Sequence, residues 1–442
     1  MTARELINSL LKNRLRPLTQ VSGPPRRRQR LLNALSRLFR NLTEKDVDME
    51  KDKTITAQER REFLKGAAAF GMGVAVAPLL TAQAQAATAA TPAPAADKPK
   101  LTMAEVLRVA REKLYPRCRV CPECNGVACA GEVPGFGGIG SGQSFKNNYD
   151  SLNRIQLHMR VVHDMKKPDM SVEIFGETLA MPFLSAATGG VTYNMGGKMT
   201  EEDFINSILG GCRDAKTLGM AADGIGDPVE TFKRRMDVLK ASFGGKGMVM
   251  IKPRTQEEII KRVRLMEEAG AVAFGIDIDS AGRAARALPG QTVEPKTLAQ
   301  LKELVGCTKM PFILKGIMTV EEAELAVQAG AKGIVVSNHG GRVLDYTPGV
   351  ADVLPAIAAK VKGRVVIFAD GAVRRGYDVL KLLALGADAC LVGRPLIRGA
   401  HGGGREGVTL MMNAIRQELM DAMVLTGTAS VRDVPRSILV GA

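Results

Sequence analysis

Tryptophan is absent from this 442-residue chain, and aromatic residues make up only 4% of it, with five tyrosines. Histidine is nearly as scarce, at four. Bases need planar side chains to stack on, so the formal charge of +15 does not by itself point to nucleic acid. That charge is also lopsided: residues 1–65 carry +8 and the other 377 only +7. No basic patch interleaved with aromatics appears, and no nucleic-acid partner is expected. Long apolar runs are missing too. The best candidate, Gly66 to Leu80, is fifteen residues rich in glycine and alanine, short for a membrane-spanning helix. What remains is ordinary globular composition, 45% hydrophobic, long enough for one large core or two smaller ones.

The first hundred residues read as targeting sequence and spacer. Arg60-Arg61-Glu62-Phe63-Leu64-Lys65 precedes the apolar stretch, and Ala82-Gln83-Ala84-Gln85-Ala86 follows it. Charge, a short apolar segment and alternating small residues make an export signal over 59–86. The arginine pair resembles the twin-arginine signal, whose machinery carries proteins already folded around a cofactor, so an extracytoplasmic location is expected; a membrane anchor is the alternative. Residues 87–100, rich in Ala, Thr and Pro, read as a linker. Residues 1–58 form a basic segment, unusually long for a position ahead of a signal. Translation starting at Met49 would leave a normal short one, with residues 1–48 an over-extended gene model.

From residue 181 short apolar runs alternate with amphipathic stretches. Strands are predicted at 181–187, 218–223, 247–252, 271–279, 311–316, 333–338, 365–371 and 388–394, with helices between them such as Thr255–Glu268, Thr319–Gln328 and Tyr377–Leu385. Eight strand–helix units in about 245 residues match a (β/α)₈ barrel. A doubly wound sheet would need a glycine-rich phosphate loop after its first strand, and Gly189-Gly190 is too little for that. The expected organisation is therefore a helix plus four-cysteine segment over 101–150 and an α/β barrel, the TIM fold, over 151–442.

A barrel sets the C-terminal strand ends on one rim, where such folds place their chemistry. Lys315 ends the fifth strand, Ser337-Asn338-His339 the sixth, Asp370-Gly371 the seventh and Gly393-Arg394 the eighth. Of the four histidines only His339 has this setting, which makes it the candidate general base. Glycines and arginines after strands seven and eight, including Arg374, suit a phosphate group.

Phe312-Ile-Leu-Lys315-Gly-Ile-Met, Val336-Ser-Asn-His-Gly-Gly-Arg342, Ala369-Asp-Gly-Ala-Val-Arg374 and Leu391-Val-Gly-Arg394-Pro resemble the FMN-dependent α-hydroxy-acid oxidases and dehydrogenases. The similarity spans about residues 130–430. It implies oxidation of a small L-2-hydroxy acid to the 2-oxo acid, with FMN as cofactor. It further implies a homo-oligomer, and an electron acceptor that is a quinone, an electron carrier or O2. His339 would be the base, Asp277 the acid that orients it, and Arg342 the clamp on the substrate carboxylate, with Arg283 a looser second candidate. Lys315 would sit by the flavin ring, Ala187 and Thr188 along its face. Ser337, Asp370, Gly371, Arg374, Gly393 and Arg394 would complete the cofactor site.

Departures from the family pattern leave the substrate open. Ile251-Lys252-Pro253-Arg254 stands where the third strand usually has Gln-x-Tyr, Gly275 replaces the usual threonine on the fourth, and the N-terminal substrate tyrosine has no clear counterpart. Another FMN barrel, such as a type 2 isopentenyl-diphosphate isomerase, or an exported FMN- or metal-binding protein without turnover, are the alternatives. The familiar members also lack the insert Cys118-x₂-Cys121-x₂-Cys124-x₄-Cys129. Four thiols at that spacing suit an iron–sulfur cluster such as [4Fe–4S], a structural zinc or, after export, two disulfides. Cys212, Cys307 and Cys390 lie in helix or strand patterns and read as small apolar residues.

Overall fold

Eight parallel strands, four or five residues each for the most part, carry the architecture: β1 Phe183–Ser185, β2 Met220–Ala222, β3 Met248–Ile251, β4 Ala273–Asp277, β5 Phe312–Ile317, β6 Gly333–Val336, β7 Val366–Ala369 and β8 Ala389–Val392. The computed structural model describes residues 100–286 and 292–440. The basic segment, the export signal and all but the last residue of the linker lie outside the described residues. No described helix is long and apolar enough to cross a membrane.

Hydrogen bonding runs β2 to β8 in order, and β8 pairs with β1. Only β1 and β2 lack a backbone ladder, and side chains bridge that seam. Ser185 Oγ accepts from Met220 N–H at 2.7 Å, and Thr217 Oγ donates to the Phe183 carbonyl at 2.8 Å. The nearly closed (β/α)₈ barrel follows from strands buried on both faces, which read as continuous apolar runs. Inside and around it, Met248 to Ile251 and Ile334 to Val336 are fully buried.

A helix follows every strand, the last being α8, Arg394–Thr426, which starts one residue past Gly393 and is interrupted at Gly403–Gly404. The stretches expected to be helical are so, as Gln256–Ala269, Val320–Ala329 and Gly376–Ala384. A hairpin, Val172–Ile174 with Glu177–Leu179, puts Phe175 against the start of β6 and 6.2 Å from the Phe368 ring, covering the N-terminal mouth.

The cysteine-rich segment is part of the same compact unit as the barrel. Helix Met103–Leu114, capped reciprocally by Thr102 and Glu105, packs on α8. A second helix, Gln143–Arg154, crosses the expected boundary at 150 and packs beside the helix after β6. Asn148 on it donates to Asn338 Oδ1 at 2.7 Å. Between the two helices, the loop crosses the C-terminal rim: Ile139 N–H donates to the Gly341 carbonyl at 2.8 Å.

Candidate active site

His339 lies in the turn after β6. It and the next two residues, Gly340 and Gly341, take left-handed backbone in a row, with φ of 59°, 62° and 74°. Such a run is strained for a non-glycine residue, and local hydrogen bonds hold it. His339 N–H donates to Ser337 Oγ at 3.0 Å and Gly341 N–H to Asn338 Oδ1 at 3.1 Å. A Cβ on Gly341 would stand 2.3 Å from the Phe145 nitrogen, so glycine is what lets helix Gln143–Arg154 close on the turn. The imidazole then faces a cavity of about 470 Å³ at the C-terminal end of the barrel.

The acid beside His339 is Asp279. Its Oδ1 and Oδ2 lie 3.0 and 3.2 Å from His339 Nδ1. A carboxylate only accepts, so Nδ1 carries the proton and Nε2 is the basic nitrogen. Asp277, the acid expected from the sequence, makes no hydrogen bond to the ring. Its oxygens pair with Lys252 Nζ at 2.6 Å and Lys315 Nζ at 3.0 Å. The correction has a local cause: β4 ends at Asp277, and a 3₁₀ turn, Ile278–Arg286, carries Asp279 across the rim. Gly316 makes room for it at a β-bulge in β5, between Lys315 and Ile317. Its φ is 107°, and a Cβ there would lie 2.7 Å from Asp279 Cβ.

Charges alternate across this floor. Burial pulls the His339 imidazole down to about 4; the Lys315 ammonium adds to the shift and Asp279 opposes it. The ring is therefore neutral at physiological pH. Burial alone would raise Asp277, but the ammoniums of Lys252 and Lys315 hold it well below the usual carboxylate range. Burial likewise works against ionised Asp279, which His339 and Lys315 nevertheless hold down. Lys315, disfavoured as a cation by burial, is kept protonated by Asp277, Asp279 and Asp370. Asp370 moves upward because burial outweighs Lys315 and Ser337.

Most of the other candidates meet at the cavity. Ala187 and Thr188 line it after β1, Gly371 and Arg374 after β7, and Gly393 and Arg394 after β8. Arg374 Nε donates to the Ala372 carbonyl at 2.8 Å, its guanidinium stacked 4.2 Å above Tyr149. Arg394 donates to Phe136 and Gly340 carbonyls at 2.9 and 3.0 Å and lies 3.8 Å above the Phe145 ring. Ser337 does not line the cavity. It props the site from beneath, donating to Asp370 Oδ2 at 2.8 Å. Arg342 reaches the wall with Nη1 on the Gly135 carbonyl and Nη2 2.9 Å from Asn194 Oδ1. The Arg283 side chain lies outside the described residues.

One thiol of the four-cysteine insert reaches the same cavity. Cys118 is buried, Cys121, Cys124 and Cys129 are half-buried, and Cys124 lines the cavity wall. All four are free thiols. Cys212 and Cys390 are buried as expected, while Cys307 is only half-buried.

A family profile described as FMN-dependent dehydrogenase matches residues 136–290 and 249–441. The chain belongs to that family. A 2-hydroxyacid oxidase of Dictyostelium discoideum is 33% identical over 329 residues, covering 66% of this chain and 81% of the relative. An L-lactate oxidase of Lysinibacillus sphaericus is 32% identical over 345 residues, covering 69% and 86%. A crystal structure of mandelate oxidase superposes with a TM-score of 0.62 at 29% identity, covering 76% of this chain and 97% of that one. The protein is thus an FMN-dependent α-hydroxy-acid oxidase/dehydrogenase, an oxidoreductase acting on a CH–OH group.

The cavity fits the FMN that the family implies. Asp370 Oδ1 is buried with no hydrogen-bond partner, an acceptor suited to a ribityl hydroxyl. The first turn of α8 and the Arg394 guanidinium meet where a phosphate would be held. Lys315 brings a fixed positive charge to the floor. The departures just past β3 have structural partners: Lys252 neutralises Asp277, and Arg254 is buried against Asp223 at 3.0 Å.

Proposed function

We propose that this family member oxidises a small L-2-hydroxy acid to the 2-oxo acid with His339 as the base. The observation that carries the reading is a neutral imidazole facing the cavity with its Nδ1 fixed by Asp279. FMN, when bound, supplies the acceptor for two electrons. His339 Nε2 accepts the substrate proton, and Asp279 stabilises the resulting imidazolium. Arg342, oriented by Gly135 and Asn194, offers a planar cation to the substrate carboxylate. Lys315 would carry positive charge against the flavin ring, Asp370 would accept from a ribityl hydroxyl, and Arg374 and Arg394 would hold the phosphate.

Twin-arginine export would deliver this protein folded and loaded. We further take the four thiols as ligands of a metal-containing group rather than two disulfides, because they are free and Cys124 faces the cavity. Anaerobic mixing with lactate, glycolate and mandelate, followed at the flavin absorbance, tests the activity. Bleaching by at least one is expected, and His339→Gln should keep FMN but slow the bleaching by roughly a hundredfold. No bleaching by any 2-hydroxy acid would remove the reading.

A further inference from the structure

Residues 115–142, between helix Met103–Leu114 and helix Gln143–Arg154, form 28 residues without helix or strand. A structureless loop of that length inside a compact unit needs something to tie it down. Its own apolar core is too small for the task, since only Cys118, Val120 and Phe136 are buried hydrophobic side chains. The sequence instead places four thiols within twelve residues of this loop, and one of them, Cys124, lines the cavity.

The first thiol has the local geometry of a ligand. Val120 takes a left-handed φ of 47°, which turns the backbone so that its N–H donates to Cys118 Sγ at 3.4 Å. Arg398 Nη2 approaches the same sulfur at 4.0 Å, and Arg398 Nε is buried with no hydrogen-bond partner. Arg394, half-buried at the cavity wall, donates to the Phe136 carbonyl of the loop at 2.9 Å, and Arg119 pins the loop to Glu132 through two bonds of 2.7 and 2.6 Å. These cations stand where they would offset the negative charge of a thiolate-ligated metal group.

Position discriminates between the metals. Cys124 lines the cavity that fits FMN, and zinc there could only hold the loop, since it has no redox chemistry. An iron–sulfur cluster could also take electrons from the flavin.

We propose that Cys118, Cys121, Cys124 and Cys129 hold an iron–sulfur cluster against the flavin cavity, as the exit for electrons to a one-electron carrier. This rests on the reading of the four thiols as ligands. Oxidation of one 2-hydroxy acid to its oxo acid releases two electrons and two protons. The cluster accepts and passes one electron at a time, so each turnover reduces two molecules of the carrier by one electron apiece, and the protons go to solvent.

The test is metal and sulfide analysis of full-length protein purified without oxygen, with electron paramagnetic resonance before and after dithionite. The expected result is about four irons and four sulfides per chain and a cluster signal that changes on reduction. Cys124→Ser should lose the iron and the signal while retaining FMN, read by its own absorbance. Zinc without iron would overturn the cluster and leave the ligand reading standing. Neither metal, with the thiols oxidised in pairs by mass spectrometry, would overturn both. Iron retained in full by Cys124→Ser would overturn the placement of the cluster at the cavity wall. Hydroxy-acid oxidation is judged separately, by flavin bleaching.

Discussion

Asp279 Oδ1 lies 3.0 Å from His339 Nδ1, while Asp277, two residues earlier, spends both oxygens on Lys252 and Lys315. The two carboxylates therefore have different partners: one fixes the His339 ring, the other neutralises two buried ammoniums. Replacing Asp279 by Asn should leave FMN bound and slow anaerobic flavin reduction by roughly a hundredfold, as for loss of an oriented general base. Asp277→Asn should act first on stability and FMN retention, because it strands two cations at the floor. A normal reduction rate in Asp279→Asn beside a slowed one in Asp277→Asn would return the orienting role to Asp277.

The proposed reaction needs His339 neutral, and burial with Lys315 holds the ring down to about 4. Protonation removes the base only as pH falls through that value, well below the usual histidine range. Flavin reduction should therefore stay level from about pH 8 to about pH 5 and be lost below. Asp279 opposes the downward shift, so Asp279→Asn should move the acid limb to still lower pH. Stopped-flow rates across that range decide it. A midpoint near 6.5 would mean that the ring is not desolvated as its position requires.

Gly316 supplies the room that brings Asp279 to His339. Alanine there meets two obstacles, a φ of 107° and a Cβ 2.7 Å from the Asp279 side chain. Gly363, with φ of 81° and nothing within 4 Å of a built Cβ, offers the strain without the clash. Gly363→Ala should cost about 1 kcal/mol by urea unfolding and leave flavin reduction unchanged. Gly316→Ala should cost more, about 1–3 kcal/mol, and also slow reduction in the manner of Asp279→Asn. Equal kinetics in the two variants would show that the bulge does not position the acid.

Much of this was legible in sequence because parallel barrel strands are buried on both faces and read as uninterrupted apolar runs. Seven of the strands fall within their predicted windows, and β5 runs one residue past its window, across the Gly316 bulge. The rim residues Lys315, His339, Asp370 and Arg394 followed, since a strand end fixes which rim a residue occupies. Asp277 was expected from the family resemblance, and the window 271–279 placed Asp279 inside the same strand rather than in the turn beyond it. Two acids in Asp277-Ile278-Asp279 were the available signal, but choosing between them requires knowing where the strand stops. Closure of the cysteine-rich loop over the rim left no local trace, because its contacts, such as Arg342 with Gly135, join residues far apart in sequence.

The seam between β1 and β2 offers a prediction about the scaffold alone. Ser185 is buried, and its Oγ accepts from Met220 N–H where a strand-to-strand carbonyl would otherwise serve. Ser185→Ala removes the acceptor and strands a buried backbone donor, a change that costs about 1–3 kcal/mol. The urea midpoint should fall accordingly with an unchanged slope, because the surface exposed on unfolding stays the same. Flavin reduction should persist, since the hydroxyl points along the seam and not into the cavity. An unchanged midpoint would mean that Thr217, bonded to the Phe183 carbonyl, holds the seam without Ser185. A double variant with Thr217→Val would then separate the two: additive losses would mark independent closures, and a loss larger than the sum would mark one hydroxyl compensating for the other.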